Sequence, residues 1–327
     1  MSRELPKPET KSEQPFHFEN WLDQELPKQY EEKVKILRKL GLLEILPQAE
    51  DIGLIGIDGQ EYPLPEMEEI REAMLKNREI METKMKQGFT DLQIIPFGTE
   101  LSKLIKIMEK TIIKHHQEGK LFAAKKNIND ENEKLIPLEL HPDYETNPEH
   151  SPIFVWKEGY DRADTEGELI YYPKEFTKDN HQGKTKREIL QETKKGFIIT
   201  LHEANPNIPK ENTNEIINAR KRLEANQAPN EYLKLLQTDP QYQNEQGQTP
   251  EEWIIKFLTI LEKHNQVIDD FEGNGKTSFQ LGAYFPFYHV VPNAYWSRDL
   301  RQAYLYRSDS GTQNEVRGAR SSARVPA

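Results

Sequence analysis

The sequence predicts an α+β fold: a mainly helical N-terminal region followed by a C-terminal domain with a short twisted antiparallel sheet and two main helices. Three observations carry that prediction. Apolar residues recur at helical spacing through most of the first 120 positions. After residue 195 the order becomes one strand, helices, and then several short extended runs divided by turn residues. The last fifty residues, from Ser278, change vocabulary: they hold no lysine, draw positive charge from Arg298, Arg301, Arg307, Arg317, Arg320 and Arg324 alone, and set Tyr, Trp, Ser, Asn and Asp between short apolar anchors. Flat aromatics among small polar groups are the composition of a recognition surface.

The chain divides into four stretches. Residues 1–20 are rich in Pro, Glu and Lys and read as a flexible arm. Residues 21–90 form a helical N-terminal region. Tyr30, Val34, Leu37, Leu40 and Leu43 give a helix over 27–46, closed by Pro47. Asp58-Gly59 marks a hairpin between two short extended runs. Met67, Ile70, Met74, Met81 and Met85 line one longer helix ending at Gly88; helix packing is the plain reading of that stripe, an adaptable docking groove the alternative.

Residues 91–194 mix α and β. An apolar run at 92–97 precedes an amphipathic helix that Thr99 caps, carried by Leu101, Leu104, Ile105, Met108, Ile112 and Ile113 and ending near His115-His116 and Gly119. Adjacent histidines diverge by about 100° on a helix, which does not suit a zinc pair. Residues 125–152 contain Pro137, Pro142, Pro148 and Pro152 and read as a polar loop or insertion; strands follow at 153–156 and 168–172. Asp161, Asp164 and Glu166 lack calcium-loop spacing and read as a solvated turn.

In residues 195–327, a strand at 196–203 leads to helices at 215–226 and 229–237. A further helix is signed by Thr249 as N-cap, Pro250 and Glu252, with Trp253, Phe257, Ile260 and Leu261 as its buried stripe. Gly273-Asn274-Gly275-Lys276-Thr277-Ser278 imitates the end of a phosphate loop, but Asp270 stands where the first glycine belongs, so a plain glycine turn is expected. His202 and Glu203 point to opposite faces of their strand. Histidines are otherwise scattered, and no serine, histidine and acid set is legible. The terminal run alternates at Ala319, Ser321, Ala323 and Val325 and is expected to be a strand with one buried face, pairing back with the strand at 196–203.

Charge and composition bound the function. A net charge of −11 disfavours a nucleic-acid partner. No cysteine is present, which removes disulfides, thiolate metal sites and cysteine nucleophiles. No apolar stretch has membrane-spanning length and no secretory leader is legible, so a cytoplasmic location without membrane insertion is expected.

The landmarks LEANQAPNEYLKLLQTDPQYQNEQGQTPEEW, NQVIDDFEGNG, LGAYFP, VPNAYW and GARSSARV make residues 196–325 resemble the variable proteins of diversity-generating retroelements, with their formylglycine-generating-enzyme-like C-type lectin fold. The likeness extends upstream through FVW and DTEGELIYYPKEF. In that family a reverse transcriptase copies a template with errors at adenines, and the copy replaces the 3′ end of the gene. The resemblance implies a non-enzymatic, cofactor-free and metal-free binding protein with a hypervariable C-terminal surface for a protein ligand. Tyr284, Phe285, Trp296, Leu305 and Val325 would be anchors. Phe287, Tyr288, His289, Asn293, Tyr295, Ser297, Asp299, Leu300, Gln302, Tyr304, Tyr306, Ser308, Asp309, Thr312, Gln313 and Asn314 would be displayed. The N-terminal region is a candidate for self-association. Two alternatives stand beside this reading: an enzyme or nucleotide binder using residues 273–278, and a structural or interaction protein whose tail only packs.

Overall fold

The structure, a computed structural model, describes residues 16–128, 130–165, 167–205 and 207–326. The arm expected over residues 1–20 lies outside them up to residue 15. Its last residues are not an arm. α1 (Phe18–Asn20) passes through a wide helical turn at Trp21–Glu25 into α2 (Leu26–Lys39), and Phe18, Trp21, Leu22 and Leu26 are buried. Each such side chain contributes about 1.5–3 kcal/mol on burial, enough to dock the segment.

The helix expected over 27–46 stops at Lys39. Gly41 turns the chain at φ +69°, and the extended segment beyond it buries Leu42 and Leu46. β1 (Glu44–Ile45), β2 (Ile52–Ile55) and β3 (Glu61–Pro63) form an antiparallel meander. Its hairpin turns at Asp58-Gly59 as expected, with Gly59 at φ +77°. The single helix expected next is two, α3 (Met67–Lys76) and α4 (Arg78–Lys86), broken at Asn77. Ile70, Met74, Met81 and Met85 still share one buried cluster with Phe89, Leu92, Leu201, Ala323 and Val325. The methionine stripe therefore packs the N-terminal helices onto the end of the chain.

β4 (Phe89–Ile95) leads to α5 (Leu101–Gln117). Thr99 is not its cap. Glu100 holds the N-cap position, and Leu101 N donates to Asp164 Oδ2 at 2.5 Å. Asp164 is thus not in a solvated turn: it is buried, and it also pairs with the buried Lys186 at 2.8 Å. Asp161 is exposed, and Glu166 lies outside the described residues.

After one 3-10 turn at Pro148–His150 come β5 (Ile153–Val155), α6 (Lys157–Tyr160), β6 (Ile170–Tyr171), α7 (Lys186–Thr193) and β7 (Ile198–Glu203). The helix expected over 215–226 is a hairpin, β8 (Ile216–Ile217) with β9 (Arg220–Lys221). Asn218 and Ala219 both take positive φ, the tight-turn geometry that matches strand twist. Extended backbone sets residues two apart on one side. Arg220 and Arg222 can therefore both reach Glu203, at 2.9 and 2.6 Å.

α8 (Pro229–Thr238), β10 (Glu245–Gly247) and α9 (Pro250–His264) follow. Thr249 and Glu252 form the expected capping box. α9 is buried all round from Pro250 to Leu261, not along a stripe only. It lies at the centre of the largest core cluster, which draws residues from Val34 to Leu305.

The chain ends in β11 (Asp270–Phe271), β12 (Thr277–Phe279), β13 (Ala283–Tyr284), β14 (Val290–Ser297), β15 (Gln302–Asp309), β16 (Arg317–Ala319) and β17 (Ser321–Arg324). Two sheets organise these strands except β13, which pairs with β6. One is antiparallel, in the order β10-β17-β7-β4; the other runs β16-β12-β14-β15-β5, with β11 parallel to β14. The last strand does return to the first of the C-terminal region: Ala323 faces Leu201 and Arg324 faces Thr200. Its alternation is not one-sided. Ala319, Ser321, Ala323 and Val325 are buried, but so are Arg320 and Ser322, because the chain changes sheets at Arg320, which pairs with Asp269 at 2.6 Å.

The described content, 33% helix and 22% strand, is α+β. Among the described residues no helix is long and apolar enough to cross a membrane.

Candidate functional site

β14 and β15 form an eight-pair antiparallel hairpin, and the period of two sorts its residues. Val290, Ala294, Trp296, Ala303 and Leu305 face inward and are buried in the main core. The opposite face carries Asn293, Tyr295 and Ser297 on β14 and Gln302, Tyr304, Tyr306 and Ser308 on β15. All seven are among the sixteen positions expected to be displayed.

Rings cross this face in a row. Tyr295 and Tyr304 stand directly opposite in register and stack at 5.0 Å and 11°. Phe154, opposite Tyr304 on β5, stacks on it at 4.9 Å and 21° and meets the edge of Tyr306 at 5.8 Å. Phe271 closes the other end, edge-on to Tyr295 at 5.6 Å. The row therefore spans β11, β14, β15 and β5. Phe154 is 37% exposed and the tyrosines are half-buried. Burial pushes the Tyr295 hydroxyl up to about 12, with Tyr304 adding to it, and burial raises Tyr304 as well. Both phenols thus stay neutral at ordinary pH and can donate and accept hydrogen bonds.

Polar side chains floor the face, and here the expectation of exposure fails. Asn293, Ser297, Gln302 and Ser308 are all under 5% exposed. Asn293 Nδ2 and Arg317 Nη1 both donate to Ser308 Oγ, the latter at 2.7 Å, and Gln302 Nε2 donates to the Tyr304 hydroxyl at 3.1 Å. Asn293 Oδ1 and Gln302 Oε1 are buried without a protein partner, so each retains capacity to accept a bond.

The other nine expected positions do not join the row. Asp299 and Leu300 occupy the β14–β15 turn, Leu300 being 51% exposed. Asp309 ends β15, and Thr312, Gln313 and Asn314 lie in the loop before β16: Asp309 Oδ1 accepts from Gly311 N, and Gln313 Nε2 donates to the distant Asn226 O, both at 2.8 Å. On the β13–β14 loop His289 is exposed, Phe287 is 65% exposed, and Tyr288 lies edge-on to Trp156 with its hydroxyl donating to Glu158 O. Tyr288 is thus part anchor. The expected anchors Tyr284, Phe285, Trp296, Leu305 and Val325 are all buried. Phe154, Phe271 and Arg317 were missed. The only signal for Phe154 was an apolar run, 153–156, with no polar alternation to reveal an outward side, and its pairing partner is 150 residues away.

The 273–278 turn is closed. Gly273 N and Gly275 N donate to Asp270 O at 3.0 and 2.9 Å, and the Asp270 carboxylate is clamped by Arg298 at 2.7 and 2.6 Å. A strand follows, so no helix N-terminus faces the turn. His202 is buried against Thr200 and Gln248, while Glu203 holds two arginines, on opposite sides as expected. His115 and His116 bind different partners, Lys120 O and Glu139. Two histidines expected to be scattered are not: His141 and His150 converge on Asp143.

No family model matches the chain, and neither a curated protein nor a solved structure does. The arrangement itself is a rigid aromatic shelf with a polar floor, backed by a filled core. It can present flat apolar area and adaptable hydrogen bonds to a macromolecular surface.

Proposed function

We propose that this chain is a non-catalytic ligand-binding protein whose C-terminal domain, of C-type lectin type, displays a surface diversified by a retroelement. The observation that supports it most is the division of labour in β14–β15. Buried anchors alternate there with the half-open Tyr295, Tyr304 and Tyr306, so these three can change while the inner set keeps the sheet. Tyrosine at those positions suits a protein ligand. Rigid rings give contact area at low entropic cost, and small polar chains adapt.

The genome tests the origin of the surface. A reverse transcriptase and a near-identical template repeat beside the gene, with adenine-directed differences confined to codons 287–316, are expected. Alleles that differ evenly along the gene, with no template repeat, would sink the reading. At the protein level, libraries varying Tyr295, Tyr304 and Tyr306 together should yield folded variants with new binding partners.

A further inference from the structure

We propose that His141, Asp143 and His150 form a site for one divalent transition-metal ion, with Zn²⁺ the ion that the donors fit. This is independent of the proposed function. The residues lie in HPDYETNPEH, within the polar stretch that precedes β5. One ligand atom from each lies within 4.8 Å of the others. His141 Nδ1 and His150 Nδ1 both meet Asp143 Oδ1, the second at 2.6 Å, and the two imidazoles stack at 3.5 Å and 27°.

The backbone builds this arrangement. Tyr144 N donates to His141 O at 3.1 Å, Thr146 N and Asn147 N to Asp143 O at 3.0 and 2.9 Å, and His150 N to Asn147 O at 2.9 Å. The ligands thus sit on consecutive hydrogen-bonded turns, which lowers the ordering cost of closing on an ion.

The donors are gathered before any ion arrives. Asn147 Oδ1 accepts from Glu149 N at 3.1 Å, and its Nδ2 donates to Asp143 Oδ2 at 3.2 Å, which leaves Asp143 Oδ1 turned toward both imidazoles. In the metal-bound form both Nδ1 atoms are deprotonated and present their lone pairs to the ion, and the carboxylate supplies the negative charge. Two imidazole nitrogens and one carboxylate oxygen, with a remaining position for water, match the donor set of zinc. Calcium and magnesium prefer all-oxygen sites.

The ion would clamp the chain where it enters β5. Ser151 follows His150 and bonds Glu109 Oε1 at 2.8 Å, and β5 then carries Phe154 into the aromatic row.

The experiment uses the full chain, stripped with a chelator and titrated with Zn²⁺ against a chromophoric competitor, then with Co²⁺. One equivalent of Zn²⁺ is expected, and Co²⁺ should give visible bands of tetrahedral strength. Loss even of an outer partner weakens metal sites about 10–100-fold, so His150→Ala and the shape-preserving Asp143→Asn should weaken binding at least that much. His116→Ala, which alters a separate imidazole–carboxylate pair, should leave it unchanged. Circular dichroism identifies any variant that fails to fold, and Asp143→Asn then decides alone. Absence of stoichiometric binding, or binding that Asp143→Asn leaves intact, overturns the proposal.

Discussion

The two sheets are treated differently, and the contrast separates structure from display. The β10-β17-β7-β4 sheet is covered on both sides. Ile95 and Ile198, paired in register, face the main core, whereas Leu92, Leu201 and Ala323 pack beneath the methionines of α3 and α4. Even its polar residues Gln93, Thr200, His202 and Ser322 are fully buried. The β14–β15 sheet is filled along one side, and its other side is divided: Val291 and Phe279 are buried in a smaller core, whereas the aromatic row stays half-open. The chain end therefore serves both ends of the contrast: β17 is core and β14–β15 is half surface. Composition alone made the last fifty residues look uniform; burial divides them.

The largest effects should come from the filled side. Trp296 is fully buried between β11, β12 and β15, and Trp296→Ala should cost about 3–5 kcal/mol in urea unfolding. A loss below about 1 kcal/mol would mean that this side of the hairpin is not core. A comparable loss is expected at the ion cluster beside the first sheet. Arg220 is fully buried, with Glu245 at 2.7 and 2.8 Å and Glu203 at 2.9 Å. Arg220→Ala takes one of two cations from each carboxylate, leaving Arg222 on Glu203 and Lys84 on Glu245, and should cost about 3–5 kcal/mol, whereas Arg220→Met with Glu245→Gln should recover part of it.

A pH dependence comes next. Lys256 is fully buried on α9 and donates to Glu203 O at 2.7 Å. Burial, then Arg320, lower its pKa to about 7, although Asp91, Glu203 and Asp269 oppose the shift. The unfolded lysine titrates near 10.5. Below pH 7 both states carry the proton and the folded state bears the full penalty. Between about 7 and 10 the unfolded state binds more protons, so this residue makes stability rise with pH. The buried phenols Tyr160 and Tyr171, raised by burial, reverse the trend above about pH 10. Chemical denaturation from pH 7 to 9.5 should show the rise in the natural chain and a flatter profile in Lys256→Met. Equal slopes would remove Lys256 as the source.

Local signals were legible where chemistry is local. Thr249, Pro250 and Glu252 marked α9, and Asp58-Gly59 marked a hairpin, because caps and turns are satisfied within four residues. The 215–226 hairpin was not legible: its extended form is tied to Glu203 and Glu245, which lie far off in sequence. Asp164 failed for the same reason, being buried by Lys186 and Leu101. At the candidate site, the resemblance implied that Tyr295, Tyr304 and Tyr306 are displayed, and the register of β14 and β15 puts them on one face. The sequence could not show that Asn293 and Ser308 would be buried, nor that Phe154 would arrive from another part of the chain. His141 and His150 looked unrelated for the same want of a fold.

The open side should give the smallest stability changes and the largest binding changes. Tyr304→Ser removes two stacked contacts, with Tyr295 and with Phe154, each worth about 0.5–1.5 kcal/mol beyond area burial. Its inward neighbours Ala303 and Leu305 stay in place. Leu300→Ser, at an exposed turn, should move stability by no more than about 0.5 kcal/mol. Thermal melts order the three variants: Trp296→Ala far below Tyr304→Ser, and Leu300→Ser beside the natural chain. If Tyr304→Ser instead melts with Trp296→Ala, the row is a second core and the distinction between the two faces of the hairpin fails. If it melts near the natural chain while binding to a selected protein ligand is lost, stability and recognition have been placed on opposite faces of the same eight residue pairs.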